Sequence, residues 1–289
     1  MSRKFLIVTA DDFGLDKAVN EAVRQAAVNG ILTAASLMVA APAAEDAVQI
    51  AKVLPMLRVG LHVVLADGSP VSAPEAIPDL VDGNGRFAPG MLLNSLRFVT
   101  SPTVRAQLEA EIRAQFAAFA RTGLTLDHVN AHKHFHLHPT VLELLLRVGS
   151  DYGAFAMRVP REPLWFARQA GGAANAAGAA CLTPLLLRMR RRIRSHGMVS
   201  NDRVFGIACS GRLDRRTMRS ILTQLPAGVT EIYLHPAIAT AQPITPSMAS
   251  YRHSEELEAL LAPEVMEARA VSQAAYGGYA DLRQLVVSR

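Results

Sequence analysis

Seven apolar runs suited to buried strands, KFLIVTA, ILTAASLMVA, LRVGLHVVLA, LTLDHVNAH, AFAMRVP, RVFGIA and GVTEIYLHP, alternate along this chain with patterns of helical period. Strands joined through helices run parallel, because each crossover returns the chain to the same end of the sheet. Punctuation marks the helices. DKAVNEAVRQAAVNG ends at Gly30, PAAEDAVQIAKVLP opens at Pro42, and TVLELLLRVGSDYG follows Pro139. SPTVRAQLEAEIRAQFAAFARTG and DRRTMRSILTQLP complete the set. With 289 residues, half of them hydrophobic, the chain can bury a large core.

Polar residues favour a barrel over an open sheet. Asp11 and Asp12 end the first run, and His62 lies in the third. His128 to His138 end the fourth, Arg158 ends the fifth, and His235 ends the last. Parallel α/β folds gather reactive groups at the carboxyl ends of strands, and a barrel brings nonadjacent strands round to one mouth. The expected fold is therefore α/β, an irregular (β/α) barrel of about seven parallel strands forming a single domain over 1–289. Asp67 to Pro102, rich in Pro and Gly, reads as a long excursion, and 160–200 as a basic amphipathic insertion.

Composition narrows the function classes. Cys181 and Cys209 make neither a disulfide framework nor a cysteine zinc site, and point to a reduced cytosolic setting. MSRKFLIVTADDFG reaches two aspartates too soon for a signal peptide, and GAANAAGAACLTPLLL reads as too short for a membrane span. The net charge of +5 equals the five arginines between Arg188 and Arg194, so the basic balance is one local patch. Aromatics are not interleaved there, and no nucleic-acid partner is expected. No GxSxG or CxxC occurs, and GNGRFA, Gly83 to Ala88, follows LVD as a turn rather than a dinucleotide site.

HVNAHKHFHLHP, His128 to Pro139, holds five of the nine histidines. If the segment is extended, His132, His134, His136 and His138 share one face. Imidazole is the commonest metal-binding side chain, although hydrogen-bonded histidines at a strand end are the plain alternative. ADDFG places adjacent carboxylates after a buried strand, where one can ligate a metal and the other approach its water. Asp12, His62 and one histidine of the 132–138 group would supply a carboxylate and two imidazoles, leaving positions open for water and substrate. His235, followed by Pro236, is placed to donate a proton to a leaving group, or else simply makes a buried hydrogen bond.

The segments LIVTADDFG, VGLHVVLADGSP, LDHVNAHKHFHLHP, MRVPRE and EIYLHPA, in this order and spacing, resemble the YdjC-like family of carbohydrate deacetylases. The resemblance runs from about Phe5 to Pro236 and is nearest to the hopanoid-biosynthesis-associated branch. It implies removal of acetate from an N-acetylglucosaminyl hopanoid. It further implies Asp12, His62 and His132 as metal ligands, Asp11 as general base and His235 as general acid. His134 and His136 are implied either as substrate-binding groups or as supports behind the ligands, and Arg158 near the sugar. Thr9, Val64 and the pair Asn130–Ala131 depart from the family pattern, the last at the positions before the ligand histidine.

The implied cofactor is one divalent ion, with zinc favoured over magnesium by the two imidazoles. The implied partner is an N-acetylated, lipid-linked sugar. On a helix, Leu182, Leu185, Leu186, Met189 and Ile193 form one stripe and the arginines crowd the remainder. Such a helix over 182–194 either lies on an anionic membrane or packs on the barrel with a solvated basic face. A cytoplasmic protein, peripheral at the inner membrane, is expected. The rivals are a deacetylase of soluble chitooligosaccharides, an iron oxygenase with two histidines and one carboxylate, and a non-catalytic metal-binding, membrane-docking protein.

Overall fold

The computed structural model describes residues 4–87 and 91–282. In chain order the elements are β1 (Lys4–Phe13), α1 (Lys17–Asn29), β2 (Ala34–Leu37), α2 (Ala44–Val53), β3 (Arg58–Val63), α3 (Met91–Thr100), α4 (Pro102–Arg121) and β4 (Val129–Ala131). Then come α5 (Pro139–Asp151), α6 (Leu164–Ser195), β5 (Arg203–Phe205), α7 (Arg215–Thr223), β6 (Gly228–Leu234), α8 (His253–Leu261), α9 (Pro263–Val271) and β7 (Ala275–Tyr276). The strand order is β4-β3-β2-β1-β6-β5, all pairs are parallel, and β7 lies beside the start of β1.

The curled sheet is irregular, as expected, but among the described residues its seven strands are not quite the seven apolar runs. AFAMRVP contributes only single bridges, Val129 with Met157 and Ala156 with Val199. These bridges connect β4 to the segment that leads into β5, so the sheet curls toward closure without a full fifth strand. The two-residue β7 replaces it in the count and carries no apolar pattern that would reveal it.

β1 is buried from Phe5 to Phe13, because helices cover its outer face and the barrel interior takes the other. α1 begins where the Asp16 side chain accepts from Ala18 N and ends at Gly30. α2 begins at Ala44, beyond Pro42, and α5 has Pro139 in its first turn. The excursion after Asp67 is more ordered than its composition suggests. It contains α3, and α4 pins it from below: Glu111 accepts from Val71 N and Ser72 N, both at 2.9 Å. Gln115 brackets Val64, accepting from its N–H and donating to its carbonyl. The GNGRFA turn is closed by a bridge between Val81 and Phe87, while Ala88 lies outside the described residues.

α6 departs from expectation in length. It runs for 32 residues, interrupted where Gly172 takes φ 77° and with Pro184 in its interior, and by length and composition it is long enough to cross a membrane. Leu186, Met189 and Ile193 of its stripe are buried against the fold, whereas Leu182 is exposed.

Candidate metal centre and cleft

β1 ends on a distortion. Its register against β2 shifts between Ala10 and Phe13, and Asp12 takes φ 63°, a region rarely adopted without glycine. The bulge lets two adjacent carboxylates serve one site, where a regular strand would send them to opposite faces.

Asp12 Oδ1 lies 3.2 Å from His62 Nε2 and 3.1 Å from His132 Nδ1. Ligand atoms of the three residues fall within 4.8 Å of one another, all buried. Asp12 Oδ2 is buried with no hydrogen-bond partner, which a metal-free interior would leave uncompensated. A carboxylate with a spare oxygen and two converging imidazole nitrogens fit a catalytic divalent cation, with room for further ligands.

The tautomer of His62 is fixed from behind. Its partner across the β3–β4 ladder is Asn130, whose Nδ2 donates to Asp11 Oδ1 and Ser36 Oγ. Asp11 can only accept, so Asn130 Oδ1 must face His62, and His62 Nδ1–H donates to it at 2.7 Å. The Nε2 lone pair is thereby aimed at the cluster. Behind Asn130, Ser36 meets His128 Nε2 at 3.0 Å, and His128 Nδ1 meets Asp127 at 2.9 Å. His128 therefore serves the barrel wall and lies outside the cluster. Its ring sits where a Cβ on Gly60 would be, as close as 2.5 Å, which explains the glycine in GLH.

Asp11 is gripped by Arg158. The guanidinium donates to both carboxylate oxygens, at 2.6 and 3.0 Å, and to Glu231 at 2.8 Å. Burial pushes the Asp11 carboxyl up, but Arg158 and then His62 outweigh it and hold the group well below the usual range. Arg158 is fully buried and does not itself line the cleft, but it grips Asp11 and lies 4.8 Å from the centroid of the Tyr233 ring, both of which do. Glu231 also accepts from Thr9 Oγ1 at 2.8 Å and Tyr279 OH at 2.7 Å, which gives the unusual Thr9 its place.

His235 Nε2 approaches Asp12 Oδ2 to 3.9 Å. Its backbone is fixed by Glu256, which accepts its N–H, and by His253, whose Nδ1–H donates to its carbonyl at 2.5 Å. Burial lowers the His235 pKa against the pull of Asp12 and Asp11. In His62, burial opposes the charge but the two aspartates win and raise its pKa.

The histidine-rich segment is not extended. β4 stops at Ala131, Lys133 and His134 take φ 52° and 55°, and short 3-10 turns run to Leu137. The four alternating histidines consequently part company. His132 joins the cluster, and His134 lines the cleft with Nε2 3.3 Å from Tyr233 OH. His136 is fully buried behind His134 with neither ring nitrogen partnered, and His138 caps α5 with its ring edge-on to Phe98. Burial, reinforced for His134 by Arg158, lowers the His134 pKa to about 3 and keeps His136 neutral as well.

The cleft above the cluster holds about 260 Å³ and is walled by Tyr233, Tyr251 and Ile207. A larger hollow of about 460 Å³ beside Arg215 and Arg219 on α7 contains none of these groups. Asn130, Glu231, Tyr233 and Tyr251 are the participants that motif reasoning passed over. A period-two signal existed for most: Glu231, Tyr233 and His235 alternate on β6 and its end, as Asn130 and His132 do after β3's partner strand begins. Tyr251 arrives from a loop and carried no such signal.

A family model described as YdjC-like protein matches residues 5–270. A carbohydrate deacetylase of Brevibacillus brevis is 42% identical over 167 residues, 57% of this chain and 61% of that protein. The chain thus spans about six-tenths of that relative's length. A carbohydrate deacetylase of Thermoanaerobacter pseudethanolicus is 29% identical over 88% of this chain and 89% of its own. Among solved structures, an Enterococcus faecalis protein proposed as a cellobiose-phosphate cleavage protein superposes with a TM-score of 0.74 at 22% identity, covering 97% of this chain and 99% of its own. That likeness speaks for the fold.

Proposed function

This chain belongs to the YdjC-like family, and on that premise we propose that it is a metal-dependent N-deacetylase acting on an N-acetylglucosaminyl hopanoid. The observation that carries the chemistry is the buried convergence of Asp12, His62 and His132 at the floor of a cleft that also presents Asp11 and His235. Relatives named carbohydrate deacetylase support the sugar amide, and the motif resemblance supports the lipid.

Asp12, His62 and His132 would hold the ion, with two imidazoles favouring zinc over magnesium. When bound, such an ion lowers the pKa of water and polarises an acyl carbonyl. Asp11, kept ionised by Arg158, takes a proton from the attacking water. The amide C–N bond breaks as the departing nitrogen takes a proton from protonated His235, which lines the cleft with its Nε2 3.9 Å from Asp12 Oδ2. Acetate and the free amine result. Tyr233, Tyr251 and His134 wall the space for the sugar, and His136 supports His134 from behind.

The test is acetate release by chelator-stripped protein with zinc or magnesium restored, on N-acetylglucosaminyl hopanoid and chitooligosaccharide side by side. Metal-dependent release from the hopanoid is expected. Release from chitooligosaccharide alone would replace the substrate, and release from neither would overturn the enzymatic reading.

A further inference from the structure

We propose that α6 is a docking element for an anionic lipid surface. The helix leaves the fold at the rim of the cleft. Glu162, just before it, accepts from the backbone N–H groups of Gly206, Ile207 and Ala208, and Ile207 lines the cleft. Phe166 anchors the first turn edge-on against Phe205, with ring centroids 4.9 Å apart. From Arg168 to Leu185 no residue is buried, and from Gln169 to Leu187 no side chain is charged. A helix that is apolar around its circumference yet surrounded by water has its partner missing.

Charge identifies the partner. The uncharged stretch runs directly into Arg188, Arg190, Arg191, Arg192 and Arg194, equal in number to the chain's whole net charge of +5. Arg190 is engaged by Asp202 and Arg192 by Glu143, whereas Arg191 and Arg194 have no acidic partner among the described residues. An apolar helix closed by free arginines matches the boundary between acyl chains and anionic headgroups. At the opposite end, Leu164 and Trp165 are about half exposed, and tryptophan favours that same boundary.

The helix rests on the bilayer and does not cross it. Phe166 at one end and Leu186, Met189 and Ile193 at the other are buried in the same body, so a span would have to put one body on both sides of the membrane. Resting α6 on lipid brings the cleft rim to the surface, where a lipid-borne sugar is presented. That delivery rests on the function proposed above, while the binding itself does not.

Trp165 is the chain's single tryptophan, so its emission reports the start of α6 without labelling. The experiment mixes the full chain with vesicles of phosphatidylcholine, with and without phosphatidylglycerol. Co-sedimentation and a blue shift of Trp165 are expected with phosphatidylglycerol, both weakening as salt rises. Arg191→Gln with Arg194→Gln should weaken partitioning about thirtyfold. Leu182→Ser with Leu187→Ser should abolish the blue shift. Both pairs should leave bound zinc and the denaturant unfolding midpoint unchanged, which separates loss of docking from loss of the metal centre or of the fold. No sedimentation at low salt would overturn the proposal, as would equal binding to both vesicle types. Self-association that buries Trp165 without lipid would also overturn it, by naming a second copy as the occupant.

Discussion

Asn130 Oδ1 sits 2.7 Å from His62 Nδ1, directly across the β3–β4 ladder, and this contact decides which nitrogen of His62 faces the cluster. Asn130→Ala frees the ring to take either tautomer and orientation. A ten- to hundredfold loss of metal affinity is expected, with turnover recovering at high metal. Competition against a chromogenic chelator measures it, and unchanged affinity would show that Asn130 does not set the ligand.

Asp11 and Asp12 are neighbours with separate tasks. Asp11→Asn preserves shape and a contact to Arg158 but removes the base. Turnover should fall by roughly 10²–10⁴ while metal content stays at the wild-type value. Parallel loss of metal would move Asp11 into the ligand set.

Arg158 lies between two buried carboxylates, Asp11 and Glu231. Arg158→Met leaves both without their cation, and about 3–5 kcal/mol of stability should be lost in denaturant unfolding of metal-free protein. Arg158→Lys should recover only part, since an ammonium cannot fork across both oxygens of Asp11. Full recovery by lysine would reduce the arginine to a point charge.

How much of this was visible beforehand follows the physics of the signals. ADDFG and GLH stood out because carboxylates and an imidazole interrupt apolar strands, and their meeting followed from strand ends in a parallel ring. The fate of the four histidines was hidden, because two consecutive residues at positive φ are set by tertiary packing and leave no periodic trace in sequence. Arg158 showed as a charged strand end, but its partner Glu231 is distant in sequence and identifiable only once β1 and β6 are paired. The same holds for β7, whose two residues pair with β1 without any apolar alternation.

Glu256 makes stability depend on pH. Burial raises its pKa from 4.5 to about 7, although two backbone N–H groups pull it down. Between those values the folded protein keeps a proton that the unfolded chain has released, so this contribution is full below about pH 4.5 and lost as pH rises through 7. The stability difference between wild type and Glu256→Gln should therefore shift against wild type from pH 4.5 to 7.5, by about 3 kcal/mol at most. Denaturant unfolding at both pH values measures it. A constant difference would mean that Glu256 has the same pKa in the folded and unfolded chain.

Metal stoichiometry tests the centre itself most directly. Wild type and His62→Ala are loaded with zinc, passed through gel filtration and analysed for bound metal. One equivalent in wild type and at least tenfold less in the variant are expected, since the remaining carboxylate and single imidazole make a poor site. Equal retention by His62→Ala would contradict the cluster of Asp12, His62 and His132 as the place where the ion is held.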